Sequence, residues 1–540
     1  MRDLAPAEEG LIGGARPSAF AVKHVVVKAA AATLFAIYLW LIFYTMPHVS
    51  FLDPDSATYL HLSPIRTVGI YYFSQVVFAL WNDFYAIAAA QGALLGSASL
   101  FLFYALFRTT GSAALALSAL AICLFKTDWI TDTQWVNSDS LFASACLALL
   151  AAAILIWQRP SPVRIGLFVF FGFAASILRP IGSAIVWPLV FVLALRLWWD
   201  SRRALGTIVA GCLGIHLVSA AIEFAHFGIF SPAQLGFAMI GGAGFIADEN
   251  ASTEIPYARE FAASTAKFRS EYRDSTSWSQ KFEVMDRYYN SITWQIAFPR
   301  LFAMVGQGPK PTWNDIIEIN RIMEAISSAA IRYNPAGYGD ITLVKLVGGA
   351  SMIFRDSPSD LQSAFTQGIA DRSIAFARSY PDKLPPEPGW THFGNDDEIT
   401  RLAGYISNWE AASLDLKHDV ARPLRDLVGL LAGDTITRLF VFVTAVLVLI
   451  TIGTACWRKR VGDCTVFLLL FVAPPWANLL AVSLTHLPLP RYIEITGPFA
   501  SIALLAAAWV LAKSVADRFP LIRARSTVPP AVEQENVAAG

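Results

Sequence analysis

Apolar runs of about 20 residues recur at both ends of this chain, and a helix of that length crosses the roughly 30 Å hydrocarbon core of a bilayer. Few folds tolerate such runs. In lipid every backbone N–H and C=O must bond within the protein, so the pattern points to an all-α polytopic membrane protein. Ten spans are predicted, at 24–45, 84–107, 112–126, 137–157, 164–179, 181–199, 204–228, 436–456, 464–484 and 494–514. Composition agrees: 55% of the 540 residues are hydrophobic and 15% charged, where soluble domains carry about 25% charged. The formal net charge of +0, with no basic patch or arm, argues against a nucleic-acid partner.

Short-loop charges give the expected orientation. One side collects Arg2, Arg16 and Lys23, then Arg108, Arg159, Arg164, Arg202 and Arg203, then Arg458, Lys459 and Arg460, then Lys513, Arg518, Arg523 and Arg525. The other side holds little beyond Arg66, Lys126, Arg179 and Arg491. Positive loops stay in the cytoplasm, which puts both termini there and the 46–83 loop and the 229–435 region outside. Residues 1–23 lack the short apolar core and small-residue cleavage site of a secretory signal, so the first span is expected to be an uncleaved anchor. The domain plan is then a cytoplasmic N-terminus (1–23), a transmembrane module (24–228), an extracytoplasmic domain (229–435) inserted before the last three spans, C-terminal helices (436–515) and a polar, proline-containing cytoplasmic tail (516–540), expected to be disordered. The inserted domain is predicted to be mainly helical. Residues 313–332 repeat at 3.6 with Thr312 as N-cap, and loops are expected near 246–260 and 381–398. Residues 67–81 read as an interfacial helix with Tyr71, Tyr72 and Trp81 at headgroup depth. All five cysteines lie in or beside spans, so the inserted region has no disulfide or Cys-based metal site.

A charge near bilayer depth costs about 2.5–3.5 kcal/mol, so each demands a reason. The outer-face set is Asp53, Asp55, Arg66, Asp132, Asp139, Arg179, Arg491 and Glu494. Acids and arginines gathered at the same ends of spans can build one polar pocket. Structural readings stand beside this one. Asp53-Pro-Asp55-Ser can cap a helix, Asp139 can cap the span that begins near Asn137, Arg179 can snorkel to headgroups, and Arg491 can pair with Glu494. His216 and His226 read as packed or interfacial rather than as metal ligands. Asp248-Glu-Asn250 reads as a solvated loop or as an acceptor or metal contact, and Asn250-Ala-Ser252 has the glycosylation pattern.

Asp55-Ser-x-x-Tyr59 followed by Arg66-x-x-Gly69-x-Tyr71 resembles the first-loop motif of bacterial GT-C glycosyltransferases, the fold of protein mannosyltransferases and lipid A aminoarabinose transferases. Asn137-Ser-Asp139-Ser-Leu-Phe142, Leu178-Arg179-Pro180 and Leu489-Pro-Arg491-Tyr492 are similar to further motifs of that fold and stand in the same order. Ile331-Arg-Tyr-Asn-Pro335-x-x-Tyr338 is similar to a string in the soluble domains of some members. The first loop lacks the usual two prolines, its acidic pair is Asp-x-Asp rather than Asp-Glu, and Asp139 replaces a glutamate.

The resemblance implies a sugar donor on a polyprenyl phosphate, a glycan, lipid or protein acceptor in the envelope, surrounding membrane lipids, and inverting displacement without a glycosyl-enzyme intermediate. Asp55, with Asp53 behind it, is then the candidate base. Arg491, Arg66 and Arg179, with Tyr492, would bind the donor phosphate, since guanidinium groups match phosphate oxygens bidentately. Tyr59, Asp139 and Tyr71 would line the substrate pocket. A divalent ion on Asp53 and Asp55 is an open possibility without a dedicated ligand set. The expected location is a bacterial inner membrane. Two other readings share these residues: a transporter or flippase of lipid-linked sugars, and a catalytically silent assembly partner. A carrier calls for polar groups near mid-membrane and broken helices, whereas these charges sit at span ends.

Overall fold

Each predicted span becomes one helix in the computed structural model, which describes residues 19–248, 254–306, 308, 312–354, 360–383, 396–412, 414–458 and 461–518. The Asn250 sequon and most of the expected 381–398 loop and C-terminal tail lie outside the described residues. In the first half, α1 (Ala19–Trp40) runs into a π turn at Leu41–Thr45, and α2 (Pro54–Leu60) and α3 (Gly69–Leu80) occupy the first loop. Then follow α4 (Tyr85–Thr110), α5 (Ala113–Phe125), α6 (Thr127–Asp132), α7 (Asp139–Gln158), α8 (Pro162–Leu178), α9 (Gly182–Asp200) and α10 (Arg202–Phe227). The inserted region supplies α11 (Leu235–Ile240), α12 (Ala258–Asp274), α13 (Trp278–Ile292), α14 (Phe298–Val305), α15 (Trp313–Tyr333), α16 (Pro335–Ala350), α17 (Gln367–Lys383), α18 (Asp396–Ala411) and α19 (Arg422–Gly429). The chain closes with α20 (Asp434–Arg458), α21 (Asp463–Thr485), α22 (Pro490–Ile493) and α23 (Gly497–Arg518). The protein is all-α: among the described residues there is no strand, only an isolated parallel bridge between Phe51 and Trp135.

Among the described residues eight helices are long and apolar enough to cross a membrane. The two other predicted spans are shorter, at 13 residues for α5 and 17 for α8. Lys126 closes α5 and turns its ammonium to Asp128 at 2.8 Å. Pro180 closes α8, because the residue before a proline is driven out of the helical region. Local chemistry ends the other helices as well. Gly111 and Gly228 take left-handed conformations after α4 and α10, and Ser112, Ser161 and Ser201 cap α5, α8 and α10. Thr312 caps α15, as the sequence predicts, and Asp315 completes a capping box with it.

Helix α7, made mostly of Ala, Leu and Ile, is buried along nearly its whole length among α4, α8, α9 and α21. By contrast α20 turns Phe442, Leu449, Ile452 and Trp457 outward, the surface of a helix that faces lipid. The 229–435 region divides between two cores. Helices α11–α16 form a separate one around Phe237, Phe261, Tyr288, Ile319, Met323 and Val344. Ile353, Phe365, Phe376, Tyr405 and Trp409 belong instead to the core of the membrane bundle. That second segment holds the first loop down: Ser373 Oγ donates to the Leu52 carbonyl at 3.1 Å and Tyr405 OH to the Ser50 carbonyl at 2.7 Å.

Candidate functional site

The first loop is fastened to the start of α7 by backbone pairing. Phe51 N–H donates to the Gln134 carbonyl at 2.7 Å, Val136 N–H to the Phe51 carbonyl at 3.0 Å, and Ser56 Oγ to the Val136 carbonyl at 2.9 Å. A second fastening lies at Gly69. A Cβ there would stand 2.5 Å from the Ile177 carbonyl oxygen, so only glycine lets α3 begin this close to the end of α8, two residues before Arg179. These contacts bring three motifs, far apart in sequence, to one end of the bundle.

Asp53 and Asp55 then part ways. Asp53 caps α2: its Oδ1 accepts from Ser56 N–H at 2.9 Å, and Ser56 Oγ receives the Asp53 N–H at 3.0 Å. Burial, then the neighbouring Asp55 charge, raise its carboxyl above the usual value. Asp55 points to the arginines instead. Arg66 Nη2 lies 2.7 Å from its Oδ1, and Arg491 Nη2 lies 3.4 Å from its Oδ2. Arg491 also donates to Tyr492 OH at 3.1 Å. Arg66 donates from Nε to Thr58 Oγ1 at 3.0 Å and lies over the Tyr59 ring, 4.7 Å from its centroid.

A second pair sits deeper. Arg179 Nη2 pairs with Asp139 Oδ1. Arg179 Nε donates to Ser138 Oγ at 2.8 Å, and its guanidinium lies 5.5 Å from the Tyr492 ring centroid. Side-chain exposure separates the two pairs: 11% and 4% for Arg179 and Asp139, against 47% and 33% for Arg491 and Asp55. The inner pair is buried, and the outer one is partly exposed. Arg179 is therefore not a headgroup anchor, and Arg491 reaches Asp55, across 436 positions of sequence. Ser138 joins the halves, its Oγ 3.4 Å from Tyr59 OH. Asp132, at the end of α6, has its carboxyl pushed well up by burial and by the charges of Asp139 and Asp128. Tyr71 lies on α3 and meets Tyr72 edge to face, while Tyr72 OH lies 2.6 Å from His226. His216 receives Trp187 Nε1–H at 2.8 Å, the packed role expected of it.

Sequence reasoning passed over Thr58, Ser138 and a polar strip beyond Tyr492. Asn478 Nδ2 donates to the Tyr492 carbonyl at 2.7 Å, and the His486 ring stands edge-on to Tyr492 at 5.2 Å. Tyr289 OH, from the inserted helices, lies 2.9 Å from His486 Nε2. A signal was available: His486 stands five residues before Arg491, in a polar break between two apolar runs. Arginines hold both Asp55 oxygens, Asp53 is committed to Ser56, and no group of three or more His, Cys, Asp or Glu converges among the described residues.

No family model matches the chain, and no curated protein matches its sequence. Two solved structures of ArnT from Cupriavidus metallidurans are similar to it. The one bound to undecaprenyl phosphate has 12% identity over 76% of this chain and 77% of that one, with a TM-score of 0.32. The apo state has 14% identity over 89% and 78%, with a TM-score of 0.30. Likeness at this level sets no residue-by-residue correspondence.

Proposed function

We propose that this membrane protein is a glycosyltransferase that moves a sugar from a polyprenyl-phosphate donor to an extracytoplasmic acceptor. One observation carries the reading: an accessible carboxylate, Asp55, faces the half-exposed Arg491 at 3.4 Å, where the first loop meets the last span. Sugar transfer from a lipid phosphate needs a proton acceptor for the attacking hydroxyl and positive charge at the leaving oxygen. Both stand here within one contact.

The pairing also suggests an order of events. The 3.4 Å contact to Arg491 is longer than the 2.7 Å contact to Arg66, so Arg491 is the partner that exchanges. A donor phosphate, matched bidentately by a guanidinium, draws Arg491 and Tyr492 toward itself and frees one oxygen of Asp55. The acceptor hydroxyl then attacks the anomeric carbon from the opposite face. Its proton passes to Asp55, and the bond from sugar to phosphate breaks with its electrons going to the phosphate held by Arg491. Arg66 keeps Asp55 oriented, and the buried Asp139–Arg179 pair holds the floor of the pocket. The inserted helices cover the site from the outer side, in an inner membrane of bacterial type.

A silent partner is the competing reading, and the double pairing of Asp55 favours it. Transfer of radiolabelled sugar from undecaprenyl-phosphate donors separates the two, with wild-type and Asp55→Asn membranes matched for expression. Wild type should transfer and the variant should lose about a hundred- to ten-thousandfold of the rate. Equal transfer by both would remove Asp55 from the chemistry.

A further inference from the structure

Helix α19, the last of the inserted region, buries a charge and exposes leucines. Arg425 is fully buried, its Nη1 donating to Asp419 Oδ1 at 2.7 Å and its Nη2 paired with Oδ2. Leu427 and Leu430 are 60% and 72% exposed. A helix that faces water turns its apolar stripe inward and its charges outward. At 3.6 residues per turn the exposed side chains of α19 fall on one arc, with Arg422 and Asp426 along one edge and Pro423, Leu427 and Leu430 along the other. Leu430 belongs to that arc because it keeps helical dihedrals past the last turn.

Position says what covers the leucines. Helix α19 packs on α5, and Val428 and Leu431 line a small cavity together with Ile122 and Phe125 of that helix. The end of α5 lies toward the first loop, because α6 leads from it to Gln134, the backbone partner of Phe51. With 13 residues α5 rises about 20 Å, which is about 10 Å less than the hydrocarbon thickness. That difference is about the diameter of one helix laid across its end. Helix α20 then starts at Asp434, and its first turns expose Leu439 and Phe442 on the lipid-facing surface described above. Leu427 and Leu430 continue that surface.

We propose that α19 lies in the plane of the membrane interface, on the leaflet nearest the first loop. Leu427 and Leu430 sit among the acyl chains, and the edge of Arg422 and Asp426 sits among the headgroups. The partner of this face is bilayer lipid, not water and not another protein. The inward turn of Arg425 onto Asp419 keeps its guanidinium out of the hydrocarbon, where a charge is costly. The water-exposed part of the inserted region then ends near Arg422, ahead of the span itself. None of this depends on sugar transfer.

The test places spin labels on the full-length protein in nanodiscs, in a background lacking the exposed Cys456 and Cys464. Labels at Leu427→Cys, Leu430→Cys and Asp426→Cys are compared with Phe442→Cys on α20 as the lipid reference and Lys267→Cys on α12 as the water reference. Oxygen concentrates in hydrocarbon and a nickel chelate in water, so the ratio of the two relaxation effects reads depth. Leu427 and Leu430 should match Phe442, with the ratio reversed from that at Lys267, and Asp426 should fall between. Leu427→Asp supplies a second readout: against acyl chains it should lower the unfolding temperature by several degrees, whereas an exposed leucine in water accepts aspartate with almost no shift. Labels at Leu427 and Leu430 that meet the nickel chelate as freely as Lys267, or an unchanged unfolding temperature for Leu427→Asp, would overturn the placement. Labels shielded from both reagents would overturn it too, and would identify protein, such as a second copy of this chain, as the cover.

Discussion

Asp55 and Asp139 are both paired carboxylates at one end of one bundle, and their surroundings give them opposite tasks. Asp139 is 4% exposed, and removing its charge strands Arg179 in a buried site. Breaking a buried pair from one side costs about 3–5 kcal/mol, while an exposed pair contributes about 1 kcal/mol or less. Asp139→Asn should therefore lower the unfolding temperature of the purified protein clearly, and Asp55→Asn should hardly move it. Comparable shifts in thermal unfolding would mean that the inner pair is not structural. Asp53 makes a third case. As a cap, Asp53→Ala should cost about 1 kcal/mol of stability, with Asp53→Ser restoring most of it. Sugar transfer by both should stay within a fewfold of wild type, and a loss as deep as that of Asp55→Asn would return Asp53 to the chemistry. Sequence put both carboxylates at a membrane face and left open which of them caps. The open question turns on Ser56, whose N–H and hydroxyl both meet Asp53, a direction that spacing does not encode.

Helices were the most legible level, since an apolar run of span length and a cap such as Thr312 are local properties. Contacts between helices were not local and could not be read. The Phe51–Trp135 bridge, the Gly69 approach to Ile177 and the reach of Arg491 to Asp55 join segments that share no periodicity. Gly69 is where this level can be tested. A methyl 2.5 Å from a backbone carbonyl has no flexible neighbour to push aside, so Gly69→Ala must move α3 off the end of α8. Overpacking of this kind costs about 1–3 kcal/mol, and here it also shifts Arg66 relative to Arg179. Sugar transfer should fall in step with stability. Gly166→Ala, where nothing lies within 4 Å of the added carbon, is the matched control and should leave both unchanged. A Gly69→Ala protein as stable and as active as that control would show that the close approach does not position the loop.

At the scale of the whole molecule, the proposed chemistry depends on which side of the membrane the first loop faces. The loop, the inserted helices and the turn before α22 meet at one end of the bundle, through contacts such as Tyr405 to Ser50 and Tyr289 to His486. The α20–α21 turn lies across the spans from there, and it carries the exposed Cys456 and Cys464 on either side of Arg458, Lys459 and Arg460. The other three cysteines are buried, so a thiol reagent applied to the folded protein reports that turn. Retention of positive loops in the cytoplasm predicts that it lies inside. A membrane-impermeant maleimide should then leave the wild-type protein unlabelled in right-side-out spheroplasts and label it in inverted vesicles. Lys267, 84% exposed on α12, supplies the complementary reporter. In a protein lacking Cys456 and Cys464, Lys267→Cys should label in spheroplasts and be protected in inverted vesicles. The reverse pattern would turn the molecule over, set Asp55 and Arg491 at the cytoplasmic face, and make any acceptor a cytoplasmic one. Because α7 is buried along its length and ties the two ends together, both reporters must give the same orientation. Disagreement between them would mean that the inserted helices and the bundle do not share the single arrangement on which the Asp55–Arg491 site depends.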